Sequence, residues 1–172
     1  MIQLYCGDGK GKTTAAVGAA VRAAGRKRKV IFAQFMKGQP TGELAALAEL
    51  DGITILRSGR AFPFFGQMTQ DEKRELAGLH DRILDEILAA FAAGRADFVV
   101  LDEVTHACRF GLIDQEKLER ILAYGKGLTT EIILTGRNAP ECLRGVSDYI
   151  SEIACVRHPY EDGVKARVGI EL

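Results

Sequence analysis

The stretch Gly7-Asp8-Gly9-Lys10-Gly11-Lys12-Thr13-Thr14 decides the fold of this chain. It follows a short apolar run at residues 2–5, which predicts a strand, and it opens an alanine- and valine-rich run at residues 13–24, which predicts a helix. Glycines in this position let backbone N–H groups turn inward around phosphate oxygens, and the N-terminus of the helix adds positive charge. The stretch therefore predicts a phosphate-binding loop, or P-loop.

Every residue from Gly7 to Thr14 is predicted to contact the nucleotide. The Lys12 ammonium supplies charge to the phosphates, and the Thr13 hydroxyl is a ligand for Mg²⁺. The usual spacing places a glycine five residues before Gly11, but that position is Cys6. The glycine nearest to that expected position is Gly7, so the loop is one residue tighter than usual. We expect it to seat a triphosphate differently from an ordinary kinase or ATPase.

Two carboxylates follow another apolar run, at residues 98–101, which predicts a buried strand ending at Asp102 and Glu103. P-loop proteins place an acid here to hold Mg²⁺ or its water shell. Neighbouring strand residues point to opposite faces, so we expect only one of the two carboxylates to face the metal, and the spacing leaves open which one. Arg137 follows the next strand at the same edge of the sheet. Arg137 and Arg22 are candidate partners of the ligand.

The remaining pattern alternates strands with helices. Further strands are predicted at residues 30–35, 53–56, 132–134 and 149–156, and further helices at 42–50, 115–124 and near 140–143. The clearest helix begins at Thr69, where Glu72 completes a capping box, and ends at Gly94. Asp114 and Asn138 are predicted to cap the last two helices. This alternation predicts an α/β fold with a three-layer, mostly parallel sheet flanked by helices. Residues 164–170 predict a last strand, antiparallel to 149–156, and the aromatic segment 57–68 fits neither period.

Composition excludes several classes of protein. A chain of 172 residues predicts one domain, over residues 1–172. Lys and Arg total 23, as do Asp and Glu, so the formal net charge is zero, which argues against nucleic-acid or membrane partners. No apolar run approaches the roughly 18 residues of a membrane span, and no signal peptide is visible, so we expect a cytoplasmic protein.

Neither His80 nor His106 has a partner at metal-ligand spacing, so we expect both to be structural or solvent-facing.

Together these segments resemble the corrinoid adenosyltransferases of the P-loop branch, which act on cob(I)alamin or cob(I)yrinic acid a,c-diamide. The resemblance rests on the tight loop and on five further segments: Gln34-Phe35-Met36-Lys37-Gly38, Gly42-Glu43, the run from Val99 to Thr105, Thr135-Gly136-Arg137, and the tail from Gly163 to Ile170. It implies a RecA-like P-loop nucleotide-binding fold. It also implies transfer of the 5′-deoxyadenosyl group of ATP to Co(I), with release of triphosphate, in adenosylcobalamin biosynthesis or salvage.

The resemblance also assigns roles to residues. Lys12 and Thr13 match the family's phosphate and metal residues, and Glu103 matches the acid associated with Mg²⁺. Phe62 and Phe64 fall on the two aromatic positions that pack against the lower face of the corrin, so with Lys12 they are the predicted catalytic residues. An apolar ring there displaces the axial ligand of Co(II) and makes the metal easier to reduce. The family's common Trp is Phe64 here.

Several partners follow from the same resemblance. Reduction of the cobalt requires a reduced flavoprotein or another Co(II) reductant, and a homodimer is expected. Longer relatives carry an N-terminal extension that helps cover the corrinoid, whereas the first strand here starts at Ile2, which predicts a site that is more open or completed by another subunit. Two other readings of the residues stay open: a P-loop kinase of the nucleoside type, and a non-catalytic carrier of corrinoid or nucleotide.

Overall fold

The computed structural model describes residues 1–39 and 41–170. Its centre is a six-stranded sheet in the order β3-β2-β4-β5-β1-β6, and every pair of neighbouring strands is parallel. The strands are β1 (Ile2–Cys6), β2 (Val30–Gln34), β3 (Ile53–Arg57), β4 (Phe98–Asp102), β5 (Glu131–Thr135) and β6 (Tyr149–Glu152). Buried on both faces, β2 and β4 are apolar almost without interruption, as is typical of a parallel sheet covered by helices.

The helices lie between the strands: α1 (Lys12–Gly25), α2 (Gly42–Ala48), α3 (Gln70–Ala92), α4 (Val104–Arg109), α5 (Gln115–Gly125) and α6 (Glu141–Arg144). The capping box of α3 is confirmed, because the Thr69 hydroxyl accepts from the Glu72 N–H while the Glu72 carboxylate accepts from the Thr69 N–H. Asp114 caps α5 as predicted. No described helix combines the length and apolar character needed to cross a bilayer.

Two apolar clusters form the core, one on each face of the sheet. Alternate strand residues supply them: Val99 and Leu101 of β4 pack into the cluster that contains α3, α4 and α5, whereas Phe98 and Val100 pack into the cluster that contains α1 and α2. This two-residue period confirms the three-layer α/β architecture. A third, smaller cluster of Met68, Leu76 and Leu112 lies beside the aromatic segment.

Three local predictions are wrong. Residues 164–170 form no strand, and β6 runs parallel to β1 rather than antiparallel to a partner. β6 also ends at Glu152 instead of residue 156, because the following backbone turns to contact the P-loop. Asn138 is not a cap: Pro140 is the N-cap of α6, and Asn138 adopts a positive φ of 49° in the preceding loop. The six-residue α4 was not predicted at all.

Candidate active site

A cavity of about 970 Å³ lies at the carboxyl ends of the strands. The P-loop after β1, Lys37 after β2, Glu103 after β4 and Arg137 after β5 all line it. Open parallel sheets bind ligands at this edge, since the loops that leave neighbouring strands meet there. The volume is at the upper end of the range for small-molecule sites and accommodates a nucleotide.

The P-loop is held tightly against the chain that follows β6. The Gly9 N–H donates to the Ile153 carbonyl at 2.8 Å. A Cβ atom on Gly7 would lie 2.4 Å from the Ile153 carbonyl oxygen, and one on Gly9 would lie 2.5 Å from that of Ala154. Gly7 also has a φ of +100°, which favours glycine. Close backbone approach therefore requires glycine at both positions, and at Gly7 the positive φ requires it as well.

Lys12 is buried at the floor of this loop, and its ammonium donates to the Gly9 carbonyl at 2.7 Å. Burial lowers the pKa of Lys12, and the positive charge of Arg137 adds to that effect. An anion bound in the cavity would pair with the ammonium and so oppose the lowering of its pKa by burial and by Arg137. Among the described residues no carboxylate is hydrogen-bonded to the Lys12 ammonium, which therefore remains a charge that favours phosphate.

Asp102 ends β4 as a fully buried carboxylate that collects hydrogen bonds from four side chains. The Thr13 and Thr135 hydroxyls donate to Oδ1 at 2.9 and 2.7 Å. The Lys37 ammonium and the Gln34 amide donate to Oδ2 at 2.9 and 3.3 Å. Asp102 therefore joins the P-loop helix to β2 and β5, and it does not itself line the cavity. Nothing in the residue pattern singled out Lys37, which entered only as part of the segment 34–38.

Glu103, the next residue, does line the cavity. Its backbone is left-handed, with φ of 61°, and its N–H donates to the Thr135 hydroxyl at 2.9 Å. The ring of His106 lies 2.6 Å away, from Nδ1 to Glu103 Oε2. Burial opposes ionisation of Glu103, but the His106 hydrogen bond and the charges of Lys37 and Lys12 outweigh it and lower the pKa of this carboxyl.

The two histidines differ in their surroundings. His80 is structural, as expected: it is fully buried, Nε2 accepts from the Met36 N–H at 3.2 Å, and Nδ1 contacts the Leu112 carbonyl at 2.8 Å. Burial lowers the pKa of His80. His106 is not simply solvent-facing, because it is half-buried and paired with Glu103. Its signal in the sequence was the i, i+3 spacing from Glu103, which becomes meaningful only once α4 is known.

The aromatic segment divides into anchored and free rings. Phe65 is stacked on Phe110, with ring centroids 4.1 Å apart and planes inclined by 5°. Phe62 is half-buried against the small cluster of Met68, Leu76 and Leu112, under the Arg60 guanidinium. Phe64 points outward and is 85% exposed. A large apolar ring held outward between two anchored neighbours is suited to contact a flat apolar ligand.

Most of the residues predicted to contact the nucleotide converge, with two exceptions. Residues 8–14, Glu103 and Arg137 line the cavity, whereas Gly7 is not part of the lining and packs against Ile153. Arg22 lies in the last turn of α1, exposed and outside the cavity lining. The tail from Ala154 to Ile170 closes one side of the cavity, a wall that the residue pattern did not reveal.

The residues at the cavity fit Mg²⁺. The Thr13 hydroxyl and the Glu103 carboxylate offer hard oxygen atoms, the ligands that Mg²⁺ prefers. Residues 1–39 and 41–170 contain no cluster of three or more His, Cys, Asp and Glu that could hold a metal ion by themselves. Mg²⁺ does not require such a cluster, because it is bound by one or two protein groups together with substrate phosphates and water.

A P-loop between β1 and α1, with an acid at the end of β4 and an arginine after β5, defines a P-loop nucleotide-binding protein. A sequence model described as ATP:corrinoid adenosyltransferase BtuR/CobO/CobP matches residues 1–172. The chain belongs to this family, as the resemblance in its sequence indicated.

Individual relatives agree with this assignment. The chain is 33% identical over 172 residues to the corrinoid adenosyltransferase of Escherichia coli strain K12, covering 99% of this chain and 85% of that one. It is 32% identical over 175 residues to that of a Sinorhizobium species, covering 100% and 80%. Among solved structures, the flagellar accessory protein FlaH of Methanocaldococcus jannaschii superposes with a TM-score of 0.53 at 14% identity, covering 88% of this chain and 69% of that one. This last likeness shows the fold alone and supports the RecA-like architecture.

Proposed function

We propose that this chain transfers the 5′-deoxyadenosyl group of ATP to Co(I) of cobalamin or cob(I)yrinic acid a,c-diamide. The observation that carries the proposal is the convergence of the tight P-loop, Lys12, Thr13 and Glu103 on one cavity in a member of this family. In the reaction the electron pair of Co(I) forms the bond to C5′. The C5′–O bond breaks, its electrons leave on the triphosphate, and the cobalt becomes Co(III).

The phosphate end of the site stabilises the leaving group. The backbone N–H groups of the P-loop and the Lys12 ammonium bind the triphosphate, on which negative charge grows as the bond breaks. Mg²⁺, when bound, supplies further positive charge there, and Thr13 and Glu103 are the residues proposed to hold it. Arg137 lines the same cavity, and its proposed role is to pair with a phosphate oxygen. No acid–base pair is needed, since the nucleophile is the metal itself.

The corrinoid end of the site is assigned to the aromatic segment. Phe64 is the exposed ring available to cover the lower face of the corrin, with Phe62 beside it. Replacing an axial ligand of Co(II) by such a ring makes the metal easier to reduce. The reductant is proposed to be a reduced flavoprotein or another Co(II) reductant. A homodimer, a cytoplasmic location and a role in adenosylcobalamin biosynthesis or salvage belong to the same proposal.

The test is an anaerobic reaction of the protein with ATP, Mg²⁺ and chemically reduced cob(I)alamin, followed by visible absorbance. We expect the Co(I) bands to disappear and a light-sensitive product and free triphosphate to form. Lys12→Ala should abolish turnover, whereas Lys126→Ala, at the exposed C-cap of α5, should not change it. ADP formed with a phosphorylated acceptor would instead establish a kinase. Tight binding without any product would establish a carrier.

A further inference from the structure

The orientation of the Glu103 carboxylate must be fixed by a neighbouring group if it is to serve a bound ligand. The left-handed backbone and the hydrogen bond to Thr135 hold its main chain, but its side chain has three rotatable bonds and faces an open cavity. A carboxylate free to rotate would spend only part of its time oriented toward a bound ligand. The side chain is only 20% exposed, and the contact from His106 Nδ1 to Oε2 is 2.6 Å. A carboxylate only accepts hydrogen bonds, so Nδ1 carries the proton in this pair.

The ring of His106 is itself held in place. It lies nearly parallel to the ring of Phe110, one turn later in the chain, with centroids 6.0 Å apart and planes inclined by 16°. Phe110 is in turn stacked on Phe65 of the aromatic segment. The imidazole therefore has a packed face that fixes its plane and an edge that donates to Glu103. Lys37 and Lys12 also act on Glu103, but as charges, which do not set the direction of the carboxylate.

We propose that His106 is a positioning residue for the metal–triphosphate end of the site. Its Nδ1–H donates a hydrogen bond to Oε2 of Glu103, which leaves the other oxygen of that carboxylate directed into the cavity. His106 touches neither substrate. The inference rests on the proposed function in one respect: it takes Glu103 as the carboxylate that serves Mg²⁺ with the triphosphate of ATP.

The test measures ATP affinity by calorimetry, with Mg²⁺ and with EDTA, in the absence of corrinoid so that no turnover occurs. His106→Phe keeps an aromatic ring against Phe110 but removes the donor. His106→Asn is its matched control, because the amide N–H of asparagine stands close to the position of Nδ1. We expect His106→Phe to weaken binding of Mg²⁺–ATP about 10-fold, the effect of one charge-assisted hydrogen bond. Binding of metal-free ATP should change less than about twofold, and His106→Asn should bind nearly as the wild type does.

A double-mutant cycle with Glu103→Gln decides whether His106 acts through Glu103. If it does, the double variant binds Mg²⁺–ATP no more weakly than Glu103→Gln alone. Additive effects in the cycle would overturn the proposal. So would an equal loss with and without Mg²⁺, or no loss in His106→Phe. Thermal melting of each variant shows whether it is folded. Because the assay contains no corrinoid, a wild-type protein that binds Mg²⁺–ATP but transfers no adenosyl group would refute the proposed function and leave this test interpretable.

Discussion

Truncating Phe64 to alanine should weaken corrinoid binding without weakening the fold. Phe64 is 85% exposed and loses little packing when it is truncated, so we expect the free energy of unfolding to change by no more than about 0.5 kcal/mol. Fully burying a phenylalanine side chain contributes about 1.5–3 kcal/mol, so covering the exposed 85% of this ring contributes about 1.3–2.5 kcal/mol. The Kd for corrinoid should then rise about 10- to 70-fold.

The assay is a titration with cob(II)alamin, followed by visible absorbance in the presence of Mg²⁺–ATP. The same spectra report whether the lower axial ligand is lost, which we expect in the wild type and not in Phe64→Ala. Leu128→Ala is the matched control. Leu128 is 89% exposed, and it lies just before β5, at the amino edge of the sheet, away from the cavity.

Comparison with Phe65→Ala separates the two kinds of ring. Phe65 is stacked on Phe110, so Phe65→Ala should lower the free energy of unfolding, whereas Phe64→Ala should leave it nearly unchanged. A Phe64→Ala protein that binds cob(II)alamin within threefold of the wild type, and still removes the axial ligand, would refute the assignment of this ring to the corrin face.

Three further perturbations test the fold and the electrostatics of the site. Gly136→Ala would place Cβ 2.0 Å from the Thr105 hydroxyl at a φ of +143°, so we expect about 1–3 kcal/mol of destabilisation and a melting temperature lower by about 2–12 °C, measured by calorimetry. Thr69→Ala removes the hydroxyl of the capping box shared with Glu72 and should cost about 1 kcal/mol, measured as a lower urea midpoint. Because the folded-state pKa of Glu103 is lowered, this group stabilises the protein above its ordinary pKa of 4.5, and that contribution is lost as the pH falls through the folded-state pKa. The difference in unfolding free energy between wild type and Glu103→Gln should therefore shrink from pH 6 to pH 4, and a constant difference would contradict it.

The parts of the fold that were predictable from the sequence are those set by neighbouring residues. The capping box at Thr69 and the glycine–lysine run before α1 act within one turn of chain, so the pattern alone contains them. The cavity wall formed by residues 154–170 is different, because its apolar residues have the composition of a strand. Only the three-dimensional position of Ile153, which leaves β6 to contact Gly9, shows that the chain turns over the cavity instead.

The candidate site shows the same division. Lys12 and Thr13 follow from a local motif, and the end of β4 marked both Asp102 and Glu103. Which of the two faces the cavity depends on the positive φ of Glu103, which strand alternation does not contain. Arg22 was a plausible partner by charge alone, but the helix carries it away from the phosphate loop.

The close packing of the P-loop on the chain after β6 has a consequence for how this site evolves. Gly7 and Gly9 approach the main chain of Ile153 and Ala154, not their side chains. Every amino acid offers the same carbonyl group, so the contact constrains one partner and leaves the other free to vary. An alignment of relatives should then show fixed glycines opposite variable positions, with no correlated substitutions between them. Methods that find contacts from paired changes would overlook this one, although it determines how tight the loop can be.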